Sequence, residues 1–128
     1  MVVQAEHIPV HLGAMPEAVA AVMLHEPPPG EVWALNDPYT GGTHLPDITL
    51  VSRTSLGYAV SRAHHADVGG VSPGSMTLSR HIDEEGVRIE PALLVRRGVR
   101  DEDLLGRILS AVRTPDERRG DLDAQLAA

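Results

Sequence analysis

Two strand-like segments, Ile48–Val51 and Gly57–Ser61, are separated only by Ser52–Leu56. A link that short is short enough for a hairpin, so the two segments are expected to pair as neighbouring antiparallel strands. A polar, glycine-bearing stretch flanks the hairpin on each side. The first reads Asn36-Asp37-Pro38-Tyr39-Thr40-Gly41-Gly42-Thr43-His44-Leu45-Pro46-Asp47, the second Arg62-Ala63-His64-His65-Ala66-Asp67-Val68-Gly69-Gly70. Pairing of the strands returns the chain near its start, which can bring His64 or His65 close to His44 and Asp47.

Carboxylates and imidazoles are ligands of hard to borderline divalent metals and the usual acids and bases of hydrolysis. Pro38 fixes the first turn, Gly41-Gly42 open backbone conformations closed to other residues, and Pro46 biases Leu45 toward an extended form. Asp37, His44 and Asp47 thus lie on a loop between two strands, where a scaffold can aim them. The same loop also reads as a polar turn whose aspartates make turn hydrogen bonds. In the second stretch, successive strand residues point to opposite faces. Only one of His64 and His65 can then share a site with His44, while the other packs or hydrogen-bonds. Asp67 reads either as a further ligand or as a carboxylate that orients a ligating imidazole. A satisfied histidine pair at a strand end is the plainer alternative.

Other polar groups carry less. Gly69–Ser75 could offer backbone N–H groups to an anion, but it lacks a helix start and a lysine. Neither Ser72 nor Ser75 sits in a Gly-x-Ser-x-Gly elbow. Pro9 between His7 and His11 argues against a helical metal pair, and His81 has no evident partner. Arg96-Arg97 and Arg118-Arg119 read as solvated faces.

Composition removes whole classes of function. All 11 cationic side chains are arginine, so no Schiff-base or P-loop lysine exists in these 128 residues. Cysteine is absent, which leaves only nitrogen and oxygen ligands for a metal. A formal net charge of −7 argues against a nucleic-acid surface. No apolar run approaches the ~20 residues that span a bilayer, and no basic-then-apolar leader opens the chain. The expectation is a soluble, cytoplasmic protein. Phe is absent and Trp33 is the one tryptophan, so the core must be aliphatic.

Met15–His25 is expected to be a helix, with Pro16 in its first turn and Met15, Val19, Val22 and Met23 on its apolar face. Glu31–Leu35 reads as a strand. Ala66–Ser79 reads as loop, and Gly86–Val95 as extended segments around Pro91. Asp101 can cap a helix that carries Leu104, Leu105, Ile108 and Leu109. Thr114-Pro115-Asp116-Glu117 is a capping box that opens another. The order of elements predicts an α+β or mixed α/β fold. Both ends look cut, with Met1-Val2-Val3 in strand-like sequence and Asp121–Ala128 in a helical pattern.

Both loop strings, the second extended as Ser61–Ser75, resemble the hydantoinase B/oxoprolinase family. The flanks Gln4–Gly13 and Val112–Leu122 agree, so the resemblance covers essentially the whole chain. It implies one partial domain over residues 1–128 of a much longer protein. Ser52–Leu56 looks shorter than the family's strand and turn there. The family includes B subunits of ATP-dependent hydantoinases, the matching part of 5-oxoprolinase and a subunit of acetone carboxylase. By that resemblance the chain is a hydrolase of cyclic amides, not active as an isolated piece. A divalent metal (Zn, Mn or Fe) would be held by Asp37, His44, Asp47 and one of His64 or His65, with His65 preferred. His64, His65 or Asp67 would move protons. ATP would be used by a partner, a hydantoinase A-type subunit or domain, and the substrate would be a small cyclic amide. Two alternatives stand beside it: a subunit of an ATP-dependent ketone carboxylase, and a truncated structural or interaction module.

Overall fold

The computed structural model describes residues 9–128. Its centre is an antiparallel sheet of five strands in the order β3-β2-β1-β4-β5. The strands are β1 (Glu31–Leu35), β2 (Asp47–Arg53), β3 (Tyr58–His64), β4 (Ala92–Arg96) and β5 (Val99–Arg100). Three helices flank it: α1 (Pro9–Met23), α2 (Glu102–Ala111) and α3 (Pro115–Ala127). This is the α+β arrangement the sequence predicts. The hairpin forms as expected, with β2 and β3 in unbroken register from Asp47 opposite His64 to Arg53 opposite Tyr58.

Strand alternation divides the interior into two layers. On one face Ala34, Ile48, Leu50 and Leu94 meet Leu104, Leu105, Ile108 and Leu109 of α2 and Leu122 of α3. On the other, Leu35 and Val51 meet Ala18 and Val22 of α1, with Trp33, Tyr58 and Val60 at the margin. Both faces of β2 are therefore covered, which is why Ile48-Thr49-Leu50-Val51 is buried without interruption. The core is aliphatic, as the missing phenylalanine requires.

Helix α1 differs from expectation. It starts at Pro9, not Met15, so Pro16 lies inside the helix, on its exposed side. An interior proline removes one backbone bond and costs about 3 kcal/mol. Burial of Ala14, Ala18 and Val22, spaced four apart, opposes that cost. The buried stripe is this small-residue one, whereas Met23 is half exposed. Small residues are required because the first loop presses on the helix. Gly41 has φ +98°, and a Cβ there would lie 3.1 Å from Ala18 Cα.

Helix α2 begins as predicted, with Asp101 accepting from the Leu104 N–H at 2.8 Å. The Thr114 hydroxyl, in contrast, caps nothing. Pro115 has no N–H, and Asp116 and Glu117 are exposed, so water can serve the first-turn donors. The segment before β4 joins no sheet but is tied to the first loop. The buried Asn36 donates to Leu45 O and Val87 O, at 2.7 and 2.9 Å, and accepts from the Ile89 N–H at 2.6 Å. Its side chain thereby fixes both ends of the loop that follows β1.

Candidate metal centre at the end of the hairpin

The register sets Asp47, first in β2, directly opposite His64, last in β3. His64 Nδ1 lies 2.8 Å from Asp47 Oδ1. His44 precedes Asp47 by one turn, and the Asp47 N–H closes that turn on His44 O at 2.8 Å. This brings the His44 ring to 5.7 Å from the His64 ring, centre to centre. One ligand atom from each of His44, Asp47 and His64 lies within 4.8 Å of the others. Gly42 makes the preceding turn, closed by its N–H on Asp37 O, possible through space rather than torsion: a Cβ there would sit 2.1 Å from Asn36 O.

Asp47 is the buried member of the cluster, while His64 is open to solvent. The other Asp47 oxygen, Oδ2, faces His11 Nε2 of α1 at 3.2 Å. An ionised carboxylate only accepts hydrogen bonds, so in the neutral imidazoles the proton resides on His64 Nδ1 and on His11 Nε2. A cation shared by Asp47 and His64 would take the place of the proton between His64 Nδ1 and Asp47 Oδ1. Two imidazole nitrogens and one carboxylate form a donor set that suits Zn, Mn or Fe. The residues present fit the metal that the resemblance implies.

Of the six loop residues, three meet and three do not. Asp37 is buried and serves its own turn, accepting from the Tyr39 N–H at 3.1 Å and the Thr40 hydroxyl at 3.0 Å. His65 points to the opposite face from His64, where its Nε2 meets Gln125 Oε1 of α3 at 3.0 Å. The Gln125 amide nitrogen is committed to Ile48 O and Ser61 O, so its oxygen must accept and His65 Nε2 must donate. Asp67 is paired with Arg113, whose Nη1 donates at 2.9 Å and whose backbone N–H donates at 2.8 Å. Burial alone would raise the Asp67 pKa. The backbone N–H groups of Arg113 and Gly69 and the Arg113 guanidinium outweigh it and hold the carboxyl below its usual range.

Pro9 argues in the sequence against a helical pair of His7 and His11; His7 lies outside the described residues. The helix nonetheless starts early enough to carry His11 to the site. Arg62 is a further residue beside the site. It stands two residues before His64 on the same strand face, a spacing of two that could have marked it. The Gly69–Ser75 loop is not an open cradle for an anion, since the Val71 N–H is already bound to Glu84 O at 2.9 Å. Among the described residues no helix is long and apolar enough to cross a membrane.

The hydantoinase B/oxoprolinase family profile matches residues 1–128. The chain is 40% identical over 148 aligned positions to a 5-oxoprolinase of Saccharomyces cerevisiae, covering 100% of the chain and 12% of that protein. The crystal structure of the ATP-dependent caprolactamase from Pseudomonas jessenii superposes with a TM-score of 0.86 at 31% identity, over 97% of this chain and 23% of that one. A nucleotide-free acetone carboxylase superposes with a TM-score of 0.64 at 23% identity, over 84% of this chain and 16% of that one, a likeness of fold alone. The chain spans a quarter or less of the length of the curated relatives it matches.

Proposed function

The chain belongs to the hydantoinase B/oxoprolinase family, and from that membership we propose that it forms the metal-bearing part of an ATP-dependent cyclic amide hydrolase. The observation that carries the reading is the convergence of His44, Asp47 and His64 at the end of the hairpin. Relatives named for 5-oxoproline and caprolactam point to a lactam or imide ring as substrate. A divalent cation bound there would polarise the ring carbonyl and make water a better nucleophile.

The residues of the chain have separable tasks in this proposal. His44, Asp47 and His64 hold the cation. The proton shared by Asp47 Oδ1 and His64 Nδ1 would give way to the cation, so that both atoms face it. His64, open to solvent, is placed to meet a ring entering from outside. Asp37 shapes the loop, and His65 anchors α3 to the sheet. Asp67 is held ionised by Arg113, and a carboxyl held that way does not exchange protons near neutral pH; it belongs to the scaffold. ATP is handled by an A-type partner subunit or domain, consistent with a chain that has no lysine. The domain is read as one part of a longer catalytic unit.

The test uses purified full-length protein with its ATP-handling partner. Stoichiometric Zn, Mn or Fe is expected, together with ATP hydrolysis that depends on a hydantoin, 5-oxoproline or a larger lactam. His44→Ala is expected to abolish both the bound metal and the ring-dependent turnover. Metal content unchanged by that substitution would overturn the metal role. ATP turnover that requires bicarbonate and a ketone instead would replace the hydrolase reading with a carboxylase.

A further inference from the structure

Arg62 faces the same side of the sheet as His64 and stands opposite Thr49 in the hairpin register. Its Nε donates to Thr49 Oγ1 at 2.7 Å, and its Nη1 reaches Thr43 Oγ1 at 3.4 Å. A guanidinium has donors only. Thr43 must therefore accept from Arg62, and its single O–H is directed at Asp47 Oδ2, 3.4 Å away. The chemistry sets the direction: Arg62 to Thr43 to Asp47. Both of the latter contacts are long, so their effect lies in aim and charge more than in bond strength.

The guanidinium is held there at a cost. Burial lowers the Arg62 pKa, against the opposing pull of Asp47 and Glu17. Its Nη2 is enclosed and finds no hydrogen-bond partner among the described residues. A buried donor without a partner is destabilising, because it has given up its bonds to water. Packing alone would be better served by an aliphatic side chain. What Arg62 adds is a positive charge behind the buried carboxylate and a fork that ties Thr49 and Thr43 together.

We propose that Arg62 is a positioning residue for the His44–Asp47–His64 cluster: through Thr43 it keeps the Asp47 carboxylate aimed for a divalent cation. This role rests on the reading of the cluster as a metal site. Lysine could supply the charge but not the fork.

The experiment strips the full-length protein of metal and titrates it with Co2+, read by visible ligand-field absorption. Thr43→Val keeps the side-chain shape and removes the hydroxyl; Thr43→Ser retains it. Thr43→Val and Arg62→Gln are each expected to weaken Co2+ binding about 10–100-fold, the range for losing a group that orients a ligand. Thr43→Ser should bind as wild type does, and Arg62→Lys should fall between Arg62→Gln and wild type. The double variant Arg62→Gln/Thr43→Val should be no weaker than the weaker single, because both break one chain of contacts. Thr43 is partly exposed, so its variants decide the matter even if Arg62→Gln does not fold. A folded Thr43→Val protein that binds Co2+ as tightly as wild type overturns the role of Arg62 alone. Absence of any wild-type cobalt band overturns the metal reading, and this role with it.

Discussion

Three aspartates of similar sequence surroundings end in three different situations, and their partners account for the difference. Asp37 accepts from its own turn, Asp67 is locked by a guanidinium and two backbone N–H groups, and Asp47 faces two imidazoles. Among the three, only Asp47 lies close to two further side chains that could ligate a cation, His44 and His64. The Asp67 pair makes a pH prediction. Its folded pKa lies below the unfolded value of about 3.9, so its stabilisation is fully present above that value. It is lost as pH falls through the folded pKa. Asp67→Asn is expected to lower stability at neutral pH by about 1.5–3 kcal/mol, the range for hydrogen bonds to a charged group. Half-exposure of Arg113 favours the lower end. Urea unfolding at a series of pH values should show the gap between variant and wild type closing below about pH 4. A gap that stays undiminished as the pH falls through the acid range would mean that the pair does not stabilise through charge.

At the scale of elements, local signals succeeded where a side chain serves its own backbone. Asp101 precedes a run of apolar residues and caps α2 through the Leu104 N–H. Thr114 has an equally good local pattern, yet its hydroxyl makes no cap bond. Asp101→Ala is therefore expected to cost about 0.5–2 kcal/mol, and Thr114→Ala less than about 0.5. Thermal unfolding of the two variants side by side would check the contrast, and equal losses would contradict it. Helix α1 shows the opposite case. Its local signals place a start at Met15, but closeness to the first loop selects Ala14, Ala18 and Val22 as the buried stripe. That longer helix brings His11 to Asp47, a contact across 36 residues of sequence that no local pattern encodes.

For the whole molecule, the sheet separates two tasks between its faces. The α2/α3 face holds most of the aliphatic core and the His65–Gln125 bond, whereas the α1 face holds the Asp47–His64 pair and Arg62. The 128-residue chain is expected to unfold in one cooperative transition. Zn2+ at a hundred times its dissociation constant should add about 2.7 kcal/mol. His64→Ala should abolish that increment with little change in the metal-free midpoint. His65→Ala should keep the increment but lower the midpoint, since it leaves the Gln125 carbonyl buried without a donor. The reverse pattern would exchange the roles of the two histidines. The hairpin, the aliphatic core, the Asp101 cap and the residue types at the site could all be read from the sequence, because each depends on spacing within a few residues. Alternation even required that His64 and His65 part company. Which of them joins His44, whether Asp37 takes part and where His11 ends up depended on which sheet face each helix covers. Burial of small and aliphatic side chains distant in sequence settles that choice, so only the tertiary structure could decide it.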